Sequence, residues 1–406
     1  MRFLARSAYG FIPKEKAEAM HAIKYRPDID GLRAVAVLSV VFFHAFPAYL
    51  TGGFIGVDIF FVISGYLIYS IIHQNLRDGE FSIAVFYQRR IRRIFPALLT
   101  VVGLSLAAGY YLLLPDEMQA LGKHSLGAAV FLSNFVLWNE SGYFDTDNYL
   151  KPLMHLWSLA VEEQFYLVVP LLLGLTWKRI PTWALMGVLV LASFAYSVHA
   201  TGINASAAFF SPLSRFWEIG AGCLAGFVMS HAPARGVWSG FVQAKPKLIA
   251  AGNMLAAAAL VWSCVWVTDK MPFPGWTALP AILATVFLIL SFESQSWVHK
   301  LLALKPMVAV GLISYPLYLW HWPILSFLHI LYGGMPPVDV LCYAVLGAFI
   351  GAVLTYFAIE KTIRFARPGS WLVPGILLAL MLAVAAVGYH YFAPEHWTQL
   401  IIGKSL

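Results

Sequence analysis

Charge is what this sequence is short of. Asp, Glu, Lys and Arg make up only 12% of the 406 residues, while apolar residues make up 60%. Soluble domains sit nearer a quarter charged and at most half apolar. Cysteine is also scarce: Cys223, Cys264 and Cys342 all fall inside apolar blocks without paired spacing, so neither a disulfide framework nor a metal site is expected. A Gly-rich phosphate loop, an HExxH helix and a GxSxG elbow are all missing, which removes the common soluble NTPase, zinc-peptidase and hydrolase signatures. His73-x4-Asp78 formally fits a glycerolipid acyltransferase pattern, but two residues in a charged loop are read as chance. No internal repeat is visible, and no cleavable signal: residues 1–27 are mixed and basic, and the run that follows opens with Asp30 and Arg33 and carries His44.

What is present is apolar blocks of about twenty residues, the length that crosses a ~30 Å hydrocarbon layer as a helix. The ~10-residue alternation of a membrane β-barrel is not found. Eleven spans are expected, near 34–50, 55–72, 95–114, 156–176, 183–199, 208–229, 249–267, 278–292, 307–331, 338–359 and 371–392. With the N-terminus in the cytoplasm, the cytoplasmic pieces hold 22 of the 27 Lys and Arg residues. The outer pieces hold Lys123, Lys151, Lys270 and Lys404, and Arg215 lies within a span. That bias is what the positive-inside rule requires. The net charge of +7 is therefore topological, and no nucleic-acid partner is implied. Leu121–Trp138 is apolar enough to cross, but a crossing there would invert every later charge cluster. Residues 115–155 are read instead as an outer-face, re-entrant element.

A charge near a helix centre costs at least ~2.5–3.5 kcal/mol, so intramembrane ionisable residues are the place to look for function. Arg33 and His44 are eleven residues apart, nearly three whole turns, and share one face with Asp30 about 40° away; His44 sits about 16 Å along the axis from Arg33. An imidazole there can take a proton near neutral pH. Asp58 lies near the outer end of the second span, as His44 does of the first, so an Asp58–His44 contact that orients the imidazole is expected. Next come Arg89, Arg90, Arg92 and Arg93 with no lysine among them, a pattern suited to forked phosphate contacts; membrane anchoring is the competing reading. His155, Ser158, Glu162 and Tyr166 form a polar stripe at helical spacing, with Glu163 beside them. Arg215 and Glu218 are expected to pair structurally within one span. Ser314, Tyr318 and His321 share a face in a helix softened by Pro316 and Pro323, and Glu360 ends the tenth span beside Lys361 and Arg364.

Five segments in this order resemble the acyltransferase-3 family of membrane acyltransferases, which includes bacterial O-antigen O-acetyltransferases. They are Arg33-x10-His44; Gly56-Val57-Asp58-Ile59-Phe60-Phe61-Val62-Ile63-Ser64-Gly65-Tyr66; Arg90-x2-Arg93; Trp157 to Tyr166 around Glu162-Glu163; and Ser314-Tyr315-Pro316-Leu317-Tyr318-Leu319-Trp320-His321. The resemblance covers about residues 25–366. It implies a ten-helix core that moves an acyl group, usually acetyl from acetyl-CoA, to an extracytoplasmic glycan. His44 and Arg33 then match residues needed for activity, the arginine pair matches a donor-side element, and Glu360 a late functional glutamate. An eleventh helix departs from the bare core. In some members it leads into an SGNH esterase-like domain; only about fourteen residues follow Phe392 here, so a separate partner, or a longer form of the chain, would supply that domain.

The expectation is an all-α integral membrane protein of the bacterial inner membrane. Residues 1–27 form a basic cytoplasmic segment, 28–368 the acyltransferase-like domain, and 369–406 an extra span with a short outer tail. It would transfer acetyl from acetyl-CoA to a glycan such as lipopolysaccharide O-antigen or another surface polysaccharide. A transporter or flippase of a lipid-linked glycan is the competing reading, and acyl-CoA turnover separates the two. The charge asymmetry makes a direct prediction. Cysteines introduced at Asp145 and at Thr398 should both react with an impermeant thiol reagent in intact cells; protection of Asp145 from outside, with labelling from the cytoplasmic side, would contradict the topology.

Overall fold

A computed structural model describes residues 25–141, 147–364 and 370–393, and every regular element among these is helical. In chain order the α-helices are α1 Pro27–Ala45, α2 Gly56–Arg77, α3 Ile83–Leu112, α4 Pro115–Ala129, α5 Ser133–Glu140, α6 Leu156–Thr176, α7 Thr182–Ile203, α8 Ala205–Phe210, α9 Pro212–Ser230, α10 Ala232–Ala244, α11 Pro246–Trp266, α12 Gly275–Leu290, α13 Trp297–Leu302, α14 Lys305–Leu312, α15 Ser314–Tyr332, α16 Val338–Leu354, α17 Lys361–Arg364 and α18 Leu372–Phe392. A π-helical stretch, Thr355–Glu360, joins α16 to α17. Asp145, Thr398 and most of the two terminal segments lie outside the described residues.

Each of the eleven expected spans has its helix. Eight are long and apolar enough to cross a bilayer, and α14 with α15 forms a ninth candidate bent by 66°. The other two, α1 and α9, also carry buried charges: Asp28 and Asp30 on α1, Arg215 and Glu218 on α9. The protein is a multi-pass, all-helical membrane protein.

Three boundaries differ from expectation, each for a local reason. Helix α1 starts at Pro27, since proline suits the first helical position, and Asp28 and Asp30 in its first turn favour the positive end of the helix dipole. Helix α3 starts at Ile83 with Ser82 as its cap and runs 30 residues, about 45 Å. All four arginines therefore sit on a continuous helix and not in a loop. The bend between α14 and α15 follows from Pro316, whose missing N–H leaves the Leu312 carbonyl without its helical partner.

Residues 115–155 do not form a single crossing helix. Leu121–Trp138 is split between α4 and α5 at a turn where Phe131 takes a left-handed φ of 55°. Helix α4 lies along α18 at close range: a Cβ on Gly122 would come within 2.7 Å of the Gly388 carbonyl oxygen. Glu140 at the end of α5 gathers Lys123 at 2.8 Å, His124 at 2.9 Å and Lys151 at 3.3 Å. Burial opposes the Glu140 charge, but hydrogen bonds and charge from His124 and Lys123 win and hold its carboxyl down at about 2. The segment leading into α6 is then fastened to α15. The Trp322 indole donates to the Lys151 carbonyl at 2.8 Å, and Ser326 donates to that of Tyr149 at 2.7 Å. Helices α2 and α9 pack with backbones in contact, since a Cβ on Gly65 would meet Ile219 backbone and one on Gly222 would meet Val62 backbone.

Candidate active site

Helix α1 carries one end of a polar path at Arg33 and the other at His44. At the first end, Asp30 accepts from the Tyr25 hydroxyl at 2.8 Å and pairs loosely with Arg33 at 3.5 Å. At the second, His44 Nδ1 stands 3.0 Å from His321 Nε2, with the two rings nearly parallel at 11°. An N···N contact of that length requires one ring to donate and the other to accept. The Trp322 ring meets His44 edge-on at 4.4 Å. Behind His321 lies His155, ring centroids 5.7 Å apart. The Tyr318 hydroxyl donates to the His155 carbonyl at 2.8 Å and sits 2.6 Å from the Ser158 hydroxyl. His155 and His321 are each only 1% exposed, whereas His44 is partly accessible. Neither ring nitrogen of His155, nor Nδ1 of His321, makes a protein hydrogen bond of good geometry. The chamber thus presents one imidazole outward, backed by a second, with a third behind.

Asp58 is not where the sequence reading put it. It does not contact His44; it accepts from Arg215 at 2.9 Å, and the same guanidinium nitrogen reaches Glu218 at 3.1 Å, as expected for that pair. All three side chains are at most 1% exposed. The physical reason is charge: a carboxylate in a dry interior is stabilised far more by a guanidinium than by a neutral imidazole. Arg215 Nε also donates to the Phe209 carbonyl at 3.0 Å, and the rings of Trp157, Phe209 and Phe273 surround its charge. This trio clamps α2 to α9, and the carboxylate expected to orient His44 is replaced in that role by His321.

A second carboxylate cluster joins α2, α3 and α6. Ser64 donates to Glu162 at 2.6 Å, and Tyr166 donates to the same oxygen. Arg90 pairs with Glu163 at 2.9 Å and lies 3.5 Å above the Tyr166 ring. Arg90 is therefore already engaged, and Arg89 is exposed. Of the three arginines expected to grip phosphate, Arg90 is thus held by Glu163, Arg89 faces outward and Arg93 lies within electrostatic reach of the Glu360 carboxylate. Arg93 makes no ion pair among the described residues, although Arg33, Arg90 and Arg364 all lie within electrostatic reach. Glu360 is 3% exposed; one oxygen pairs with Arg364 at 3.3 Å, and the other has no hydrogen-bond partner. Arg33 and Arg93 are within electrostatic reach of it. Arg93, which no carboxylate contacts directly among the described residues, and the unfilled Glu360 oxygen could together hold a ligand that both accepts and donates hydrogen bonds.

Sequence reasoning singled out His44 and His321 but not their pairing, which spans 277 residues of chain. It missed Trp322 altogether and read Lys151 only as a topological charge; an indole in an apolar run and a loop lysine carry no local signal.

A family model described as an acyltransferase domain matches residues 26–357. The chain belongs to the acyltransferase-3 family. Curated relatives within this family's reach include an O-acetyltransferase OatA of Staphylococcus aureus strain NCTC 8325, 32% identical over 368 residues, covering 86% of this chain and 59% of the relative. The peptidoglycan O-acetyltransferase OatA of Listeria monocytogenes is 32% identical over 363 residues, covering 86% of this chain and 57% of the relative. The chain thus spans less than three fifths of the length of these relatives. No solved structure matches it.

The buried charge trio gives a measurable consequence. Arg215→Ala leaves Asp58 and Glu218 in a dry interior without their cation, which costs about 3–5 kcal/mol for a broken buried pair. The variant should lose monodisperse gel-filtration behaviour at a markedly lower temperature than the parent. An unchanged midpoint would show that the trio does not hold α2 on α9.

Proposed function

We propose that this acyltransferase-3 family chain is an O-acetyltransferase that moves an acetyl group from acetyl-CoA to a hydroxyl of an extracytoplasmic glycan. The observation that carries the reading is the His44–His321 contact at 3.0 Å, on the same helix face as Arg33, whose end of the helix holds the arginine cluster. The donor's phosphates sit against Arg93 and Arg33, and its pantetheine arm runs along α1, a distance comparable to the ~16 Å rise from Arg33 to His44. His44 Nδ1 is engaged by His321, so Nε2 is the atom left to react. It either takes the proton of the acceptor hydroxyl or accepts the acetyl group before passing it on. In both cases the acetyl–sulfur bond breaks, an acetyl–oxygen bond forms, and the hydroxyl proton ends on the CoA thiol.

The Listeria relative is named for peptidoglycan as its acceptor, and none of the relatives reported above points to lipopolysaccharide O-antigen. We therefore take a cell-wall polymer as the acceptor class. The relatives extend well beyond the matched region, which is compatible with an SGNH-type domain, appended or separate, that receives the acetyl group.

Acetyl-CoA turnover by the purified protein, run against a panel of glycan acceptors, tests the proposal. His44→Gln keeps bulk and hydrogen bonding but cannot shuttle a proton, so turnover should fall on the order of 10²–10⁴-fold while acetyl-CoA still binds. Arg93→Ala should instead weaken acetyl-CoA binding, read by calorimetry, by roughly ten- to a hundredfold, the value of a charge-assisted contact. Near-native turnover of His44→Gln would contradict the chemical assignment, and unchanged acetyl-CoA affinity of Arg93→Ala would return that arginine to membrane anchoring.

A further inference from the structure

A second cavity lies away from α1. It occupies about 640 Å³ where the C-terminal ends of α2, α6 and α9 meet the start of α7 and the short helix α10. Its walls are rings in series. Tyr69 stacks on His73 at 5.6 Å, His73 meets Trp177 edge-on at 5.4 Å, and Phe227 stacks on His231 at 5.0 Å. Tyr69 is 0% exposed and His73 8%. Two donors in this wall are buried yet unused. The Trp177 indole N–H has no partner, and the Tyr69 hydroxyl, with Thr182 beside it, makes no hydrogen bond that meets both distance and angle. Buried donors without partners are uncommon and call for an acceptor. Lys178 adds a full positive charge, and no carboxylate lines the cavity. Asp78, which lies within electrostatic reach of His73, is itself paired with Arg77 at 3.1 Å.

The lips of the cavity are apolar and open. Trp183 is 58% exposed and Val237 78%. Donors and positive charge inside, with apolar groups at the mouth, complement an amphiphile with an anionic head better than a free anion. The bundle end is also that of the basic residues Arg77, Lys178 and Arg179, where an anionic headgroup meets protein. We propose that this cavity binds the phosphate-bearing headgroup of an anionic membrane phospholipid, with its acyl chains running past Trp183 and Val237 into the surrounding bilayer. The phosphodiester oxygens accept from Trp177 Nε1 and the Tyr69 hydroxyl, and Lys178 neutralises the charge. The site shares no residue with the acetyl-transfer chamber.

Native mass spectrometry of the detergent-solubilised full chain reads this directly, with phosphatidylglycerol and phosphatidylcholine of identical acyl chains as probes. Phosphatidylglycerol should be retained in preference by about tenfold or more, the value of a charge-assisted contact. Lys178→Gln should erase most of that preference, and Trp177→Phe, which keeps the ring and removes a donor to the phosphodiester that both lipids carry, should weaken retention of both. Equal retention of the two lipids, a preference untouched in Lys178→Gln, or retention untouched in Trp177→Phe, would overturn the proposal. Displacement of the lipid by glycerol 3-phosphate at matched concentration would overturn it too, since the site would then take a free phosphate and owe nothing to its apolar mouth.

Discussion

A charged or polar side chain inside a bilayer has no water to fall back on, and it must find its compensation within the protein. That constraint sorts the buried polar residues of this chain into three kinds. Asp58, Arg215 and Glu218 pair with one another and hold two helices together, with one Glu218 oxygen left unpartnered. Ser64, Glu162, Tyr166, Glu163 and Arg90 do the same between α2, α6 and α3. Around the candidate site a third kind stays incomplete: one oxygen of Glu360 has no hydrogen-bond partner, and imidazole nitrogens of His155 and His321 have none. Polar groups left unsatisfied at such cost mark the places where a substrate would complete the network.

The chamber shows how the fold makes an imidazole useful without a carboxylate. His44 needs a group on Nδ1 to fix its ring, and His321 supplies it without bringing a charge into the interior. Trp322 closes one side of the ring, and its indole N–H is tied to the Lys151 carbonyl, which couples the chamber to the segment before α6. The bend at Ile313 matters here. It redirects α15 so that Tyr318 and His321 face His155 while Ser326, lower on the same helix, holds the Tyr149 carbonyl. The geometry of the site thus depends on a proline, Pro316, placed four residues after the carbonyl it leaves free.

Much of this was legible in the order of residues. Apolar block lengths and the basic bias locate all eleven helices, and helical periodicity puts Arg33 and His44 on one face. Pairings across the bundle were not legible, because periodicity describes one helix at a time. Proximity of helix ends suggested Asp58 for His44, but a residue on the first turn of α2 can face α1 or α9, and only the position of Arg215 decides which. The same limit applies to Arg90. Its spacing to Arg93 is right for gripping phosphate, yet Glu163, 73 residues later, takes it. The break in Leu121–Trp138 was anticipated from charge distribution and not from local sequence, since nothing in Val130–Leu132 is a strong helix breaker.

The central claim is that His44 and His321 act as one proton-handling unit, and a double-mutant cycle tests it. Turnover of acetyl-CoA is measured for His44→Gln, His321→Gln and the pair together, with acetyl-CoA affinity followed alongside. If the two imidazoles work as a unit, each single change removes the function of both, and the double variant turns over no more slowly than the slower single variant. Losses that add in free energy across the two positions, or a His321→Gln protein as active as the parent, would contradict the account.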